Sequence, residues 1–190
     1  RLNVNVSASA DYGQLVDGSY SGLLDITSAT KIKGYGLAYL TNATGLKAPN
    51  VTSIGTYALT GSNALTTVAF PSATTIDSNA FRQMNELETV DLGESLSSLG
   101  NNAFLNSPKF KTLIIRKNTV QAIANTGLFA GTCFASDGTG GTLYVPSSLI
   151  SSYQSATNWS TILGYADNQI KAIEGSVYET QYADGTPIGG

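Results

Sequence analysis

A unit that recurs every 22 to 24 residues constrains this chain more than any single residue does. Its landmark is an aliphatic residue, three spacers, a small residue and then a large apolar one. It reads Ile32 with Gly36-Leu37, Ile54 with Ala58-Leu59, Ile76 with Ala80-Phe81, Leu99 with Ala103-Phe104 and Ile123 with Gly127-Leu128. Five copies in register at this period are the signature of a solenoid, in which each unit buries its apolar face only by stacking on its neighbours. Such a stack makes an extended surface, and the pattern alone does not say what lies against it.

The rest of the unit sets the register. Seven residues after each small residue comes another anchor, Ala43, Leu65, Leu87, Phe110 and Phe134. After most of these an alternating apolar pair follows: Leu46 and Ala48, Val68 and Phe70, Val90 and Leu92, Leu113 and Ile115, with Leu24 and Ile26 before them and Leu143 and Val145 after. Period-two alternation predicts short strands with one buried face. Pro49, Pro71, Gly93 and Pro146 follow these pairs directly and stop the strand. A third set, Ala29, Val51, Ala73, Leu96 and Val120, precedes each landmark aliphatic by three residues. Each unit is therefore expected to be a short strand, a turn, and an irregular or single-turn segment.

At this point the residues carry a resemblance. The stretch from Leu65 through Val68, Phe70, Pro71, Ala73 and Ile76 to Ala80-Phe81 resembles the BspA-type leucine-rich repeats of bacterial surface proteins, over roughly residues 24 to 173. The close of the chain is similar to the family's ending: Leu143 to Leu149, then Tyr153, Ala156 and Trp159, then Ile170 to Ile173. Many members carry a cysteine four residues after the small residue; here those positions hold Ser62, Met84, Ser107 and Gly131. The fold expected is a leucine-rich-repeat solenoid, a parallel single-layer ladder of short strands with short helical segments and a helical C-terminal cap. Its expected divisions are a capping segment over 1–23, repeats over 24–146, a cap over 147–174 and a loose tail over 175–190. Within the first, Leu2, Val4 and Val6 alternate with asparagines as an edge-capping strand would. In the C-terminal cap, Ser147 is the expected helix N-cap and Tyr153 and Trp159 the core that closes the last rung.

Composition narrows the chemistry. The chain has no histidine, which removes His-dependent nucleophilic catalysis and most zinc sites. Its single cysteine, Cys133, forms no intramolecular disulfide and is expected to be a buried structural thiol. Charged residues make up only 12% of the chain, with a formal net charge of -3 and no basic stripe, so nucleic acid is not an expected partner. No apolar run reaches the length of a membrane span. The chain begins at Arg1 rather than Met, leaving room for a processed secretion signal upstream.

The spacing of the acidic residues does not suit a catalytic pair. Stacking puts Asp25, Lys47, Ala69, Asp91, Ile114 and Tyr144 in one column, so Asp25 and Asp91 should be about 14 Å apart at the usual rung spacing. Glycosidase carboxylates need about 5 to 10 Å. Glu86, Glu88 and Glu94 read as a solvated acidic patch, and the glycine-rich insertion from Ser136 to Gly141 as a flexible surface loop. No enzyme activity and no cofactor or metal is expected.

The resemblance implies a secreted or cell-surface protein engaged in adhesion or binding, with a host or bacterial surface protein or a glycan as partner. The alternative is a structural spacer or carbohydrate-recognising accessory domain of a larger surface protein. If a ligand binds, the expected site is an exposed strand face around Asp91, Ile114, Arg116 and Tyr144, where Tyr144 is the one exposed aromatic of the ladder.

Overall fold

The computed structural model describes residues 2–3, 19–134, 140–163 and 169–174. The expected continuation of the first strand through Val4 and Val6, residues 136–139 of the glycine-rich insertion and the 175–190 tail lie outside them.

Two parallel ladders run side by side through the repeats. The first comprises β1 (Leu2–Asn3), β2 (Ser21–Asp25), β4 (Asn42–Lys47), β6 (Thr67–Phe70), β8 (Thr89–Leu92), β10 (Thr112–Ile115), β11 (Thr142–Val145) and β12 (Ile170–Ala172), all but β1 longer than two residues. Leu24 sits beside Leu46, Val68 beside Val90, Val90 beside Leu113, and Leu113 beside Leu143, as the alternating pairs required. The ladder is not continuous: β1-β2-β4 form one sheet and β6-β8-β10-β11-β12 another, with no strand pairing between β4 and β6.

The second ladder was not expected. It consists of two-residue strands, β3 (Lys31–Ile32), β5 (Ser53–Ile54), β7 (Thr75–Ile76) and β9 (Ser98–Leu99), paired in that order. Each ends on the landmark aliphatic, which is buried, and begins on a polar residue. This ladder crosses the break between β4 and β6, so the stack stays continuous there. Hydroxyls reinforce it: Thr52 donates to the Thr30 carbonyl, Thr74 to Thr52 and Ser97 to Thr74, at 3.1, 2.9 and 2.8 Å.

The turn that follows each short strand stitches the rungs in a particular way. Alternate amides point along the solenoid and donate to the next repeat: Leu37 to Ala58, Tyr39 to Thr60, Leu59 to Ala80 and Phe81 to Ala103, all at 2.8 Å. The intervening amides close local turns, as Gly36 does on Lys33. Turning every second amide outward requires left-handed backbone at two positions per repeat. They are Tyr35, Tyr57, Asn79 and Asn102 at the first, and Tyr39, Gly61, Gln83, Asn106 and Gly131 at the second, with φ between 56° and 71°. Glycine and asparagine tolerate that region, whereas a larger side chain there costs about 1–2 kcal/mol.

The core lies between the ladders. All five landmark aliphatics and the large apolar residues that follow them are buried. From the third repeat onward the core is aromatic. Phe81 and Phe104 stack with centroids 5.4 Å apart and planes at 8°; Phe104 also meets Phe110 at 4.5 Å and Phe129 at 5.6 Å, and Phe129 meets Phe134 at 4.7 Å. Glycine at 93 is dictated by packing, because a Cβ there would collide with the Pro71 carbonyl of the preceding repeat. The position four residues after the small residue is filled by hydroxyls in two repeats. Ser62 donates to the Leu37 carbonyl at 2.7 Å and accepts from the Leu40 amide at 3.2 Å, and Ser107 treats Phe81 and Met84 in the same way at 2.9 and 3.2 Å.

Helices α1 (Ile150–Ser155) and α2 (Trp159–Ile162) close the stack. Tyr153 and Trp159 are fully buried and meet edge to face at 5.3 Å. They grip one backbone unit from both sides: the Gln121 amide donates to the Tyr153 hydroxyl at 2.9 Å, and the Trp159 indole donates to the Gln121 carbonyl at 2.6 Å. Ser147 is not the expected helix N-cap. A 3-10 turn over Ser147–Leu149 precedes α1, and neither start has a side-chain cap. The Ser147 amide donates instead to Glu174 at 2.9 Å. Glu174 lies below its ordinary pKa because its own backbone amide and that of Ser147 both favour the carboxylate.

Candidate functional site

The expected strand-face site is assembled but not exposed. Asp91, Ile114 and Tyr144 are register neighbours on β8, β10 and β11, as the column required. Yet Asp91 and Ile114 are each 1% exposed and Tyr144 is 8% exposed. Arg116, just past β10, keeps a partly open side chain and clamps Asp91 with two hydrogen bonds, Nε to Oδ1 at 2.9 Å and Nη2 to Oδ2 at 2.8 Å. That pairing raises the Arg116 pKa further above its ordinary value, against the opposing effect of burial. The physical reason for the burial was present in the sequence. Leu113-Ile114-Ile115 and Leu143-Tyr144-Val145 are continuous apolar runs, the form a parallel strand takes when both its faces are covered. Charges at Asp25, Lys47 and Asp91 in the same column made that face read as wet.

Two other expectations are refined in the same region. The acidic patch is solvated, and two of its three carboxylates pair with the next rung: Glu86 with Lys109 at 2.6 Å and Glu88 with Lys111 at 2.7 Å. The Lys111 hydrogen bond and charge lower the Glu88 pKa. Cys133 is half-buried rather than buried, and its Sγ donates to the Pro108 carbonyl at 3.2 Å.

Exposed aromatic surface lies elsewhere, on the ridge formed by the left-handed turns of the first two repeats. Among the described residues the large hydrophobic side chains that stand open are Tyr39, 56% exposed, and Tyr35, 41% exposed. Tyr35 stacks on Tyr57 with centroids 5.1 Å apart and planes at 14°. Arg82, one repeat further on, places its Cζ 6.0 Å from the Tyr57 centroid. Tyr39 lies across Gly61, where an added Cβ would approach its Cδ1 to 2.6 Å, so glycine at 61 serves both the positive φ and the ring above it. All three tyrosines occupy left-handed backbone at φ near 58°. The equivalent positions in the next two repeats hold Asn79, Asn102, Gln83 and Asn106.

The ridge was legible in part. Tyr35 and Tyr57 are 22 residues apart, in register with the repeat, and neither belongs to the apolar anchor set. A tyrosine at a repeat position that is elsewhere asparagine is the signal for an outward ring.

A shallow apolar cleft of about 310 Å³ at the C-terminal cap is lined by Val120, Ala122, Ile123, Ala156, Thr157 and Trp159. Among the described residues, no three His, Cys, Asp or Glu side chains come together in a way that could hold a metal ion, and no helix is long and apolar enough to cross a membrane.

A family model described as a BspA type leucine-rich repeat region matches residues 24–136 in six copies. No curated protein matches the chain.

Proposed function

The chain belongs to the BspA-type leucine-rich repeat family, and on that footing we propose that it is a non-enzymatic binding module, secreted or displayed at a cell surface, that engages a protein partner. The ridge of Tyr35, Tyr39 and Tyr57 carries this reading. Three tyrosines held in left-handed backbone are a standing cost of about 1–2 kcal/mol each relative to the glycine or asparagine that tolerates this region, as Gly61, Asn79, Asn102 and Asn106 do at equivalent positions. Strain of this kind is maintained where the surrounding structure over-determines it, and it gathers at binding sites. Rings fixed by stacking and by a rigid solenoid lose little entropy when they are covered. Tyrosine and arginine are also the side chains most enriched among residues that dominate interface energetics.

The test compares the parent chain with a Tyr35→Ser, Tyr39→Ser, Tyr57→Ser variant on arrays of bacterial and host surface proteins and of glycans. The parent should bind a defined protein on the array, and the variant should lose that binding with a similar thermal midpoint. Equal binding by the variant, or binding of the parent to no protein, would refute the reading.

A further inference from the structure

We infer that the tyrosine ridge docks a protein segment bearing an Asp or Glu carboxylate, which is received by Arg82. This rests on the binding-module reading above and adds the chemistry of the partner. The observation behind it is a contrast between two arginines. Arg116 has its fork filled by Asp91. Arg82 has no carboxylate: its side chain makes no hydrogen bond or ion pair with the described residues, and its Nε is buried without a partner. Asp77, two residues before Asn79 in the same repeat, does not pair with it.

A guanidinium presents its donors in a planar fork that matches a carboxylate, and with Nε buried the Nη groups of Arg82 are the ones left to receive it. Seated against Tyr57 at 6.0 Å, the Arg82 fork is oriented before anything binds. Tyr35 and Tyr39, the most open aromatic rings described, then supply contact area beside the charge.

The charged fork favours an acidic peptide over a neutral sugar. A pyranose packs its C–H face flat on an open ring and brings no carboxylate. Here Tyr57 has Tyr35 and Arg82 as neighbours, and the Tyr39 ring lies against Gly61. A side-chain carboxylate can meet the Arg82 fork while neighbouring residues of the same segment lie against the Tyr35 and Tyr39 rings.

Panning a random peptide library displayed on phage against the full chain tests the idea. Enriched peptides should carry Asp or Glu beside an apolar or aromatic residue. The best of them, made as a synthetic peptide, should bind about tenfold more weakly to Arg82→Gln and more weakly in 0.5 M salt. Tyr35→Ser and Tyr39→Ser should weaken it as well, while the thermal midpoint of Arg82→Gln stays close to the parent's. Peptides lacking carboxylates, or binding indifferent to Arg82→Gln, would overturn the carboxylate inference; if the tyrosine variants still abolished binding, the ridge itself would stand. Binding indifferent to all three variants would remove the ridge and with it the functional reading. An empty selection, or recognition confined to acidic glycans on an array, would likewise overturn the inference.

Discussion

The first two repeats and the later ones place their aromatic residues on opposite sides of the same backbone. In the first two, the anchors after the small residue are Leu37 and Leu59, and the rings are outside at Tyr35, Tyr39 and Tyr57. From the third repeat on, the rings are inside at Phe81, Phe104, Phe110, Phe129 and Phe134, and the equivalent left-handed turn positions hold asparagine, glutamine or glycine. The backbone hydrogen bonds of the turn are alike in both regions. The difference is therefore one of side-chain chemistry on a constant frame. The later repeats concentrate stability in a stacked core, and the early ones keep strained rings on the surface.

The largest effect should come from the aromatic core. Phe104 is fully buried between Phe81, Phe110 and Phe129. Phe104→Ala should cost about 3–5 kcal/mol in a urea titration, because three stacked partners cannot close over the space left behind. A loss under about 1 kcal/mol would mean that the later repeats do not concentrate stability as described.

A smaller effect is expected at the cap. Tyr153→Phe leaves the buried Gln121 amide without its acceptor, at a cost of about 1–2 kcal/mol near neutral pH. Burial raises the Tyr153 pKa, opposed by the Gln121 amide, so the fold holds this phenol neutral beyond its unfolded value. The stability from that difference is fully present below about pH 10 and is lost as pH rises from there through the folded value. Alkaline denaturation should accordingly be shallower in Tyr153→Phe than in the parent. An unchanged slope would show that Tyr153 ionises freely and that the cap is looser than its packing indicates.

Much of this arrangement could be read from the chain itself. The strand register from Leu24 to Leu143 follows from the period of the repeat, since stacking forces equivalent residues side by side. Tyr153 and Trp159 were legible as buried core because Leu149, Tyr153 and Ala156 recur at helical spacing and Trp159 follows them directly. The second ladder was not, because two-residue strands such as Thr75–Ile76 are too short to alternate. Nor was the burial of Asp91, Ile114 and Tyr144, because charged Asp25 and Lys47 share their column and masked the apolar runs on either side of Ile114 and Tyr144. The ridge depended on backbone sign: nothing in the residues of Tyr35 and Tyr39 says φ is positive until the outward amides of the turn are seen.

The comparison turns on whether the outer tyrosines are kept for stability or in spite of it. Converting the early turns to the later type, with Tyr35→Asn, Tyr39→Asn and Tyr57→Asn together, puts residues that tolerate left-handed backbone at all three positions. Relief of about 1 kcal/mol at each should offset the Tyr35–Tyr57 stack, worth about 0.5–1.5 kcal/mol, together with the lost contact of Tyr39 on Gly61. Urea denaturation of the triple variant should therefore give a stability within about 1 kcal/mol of the parent, or above it. A loss of about 3 kcal/mol or more would contradict the account, because it would make the tyrosines part of what holds the first repeats together.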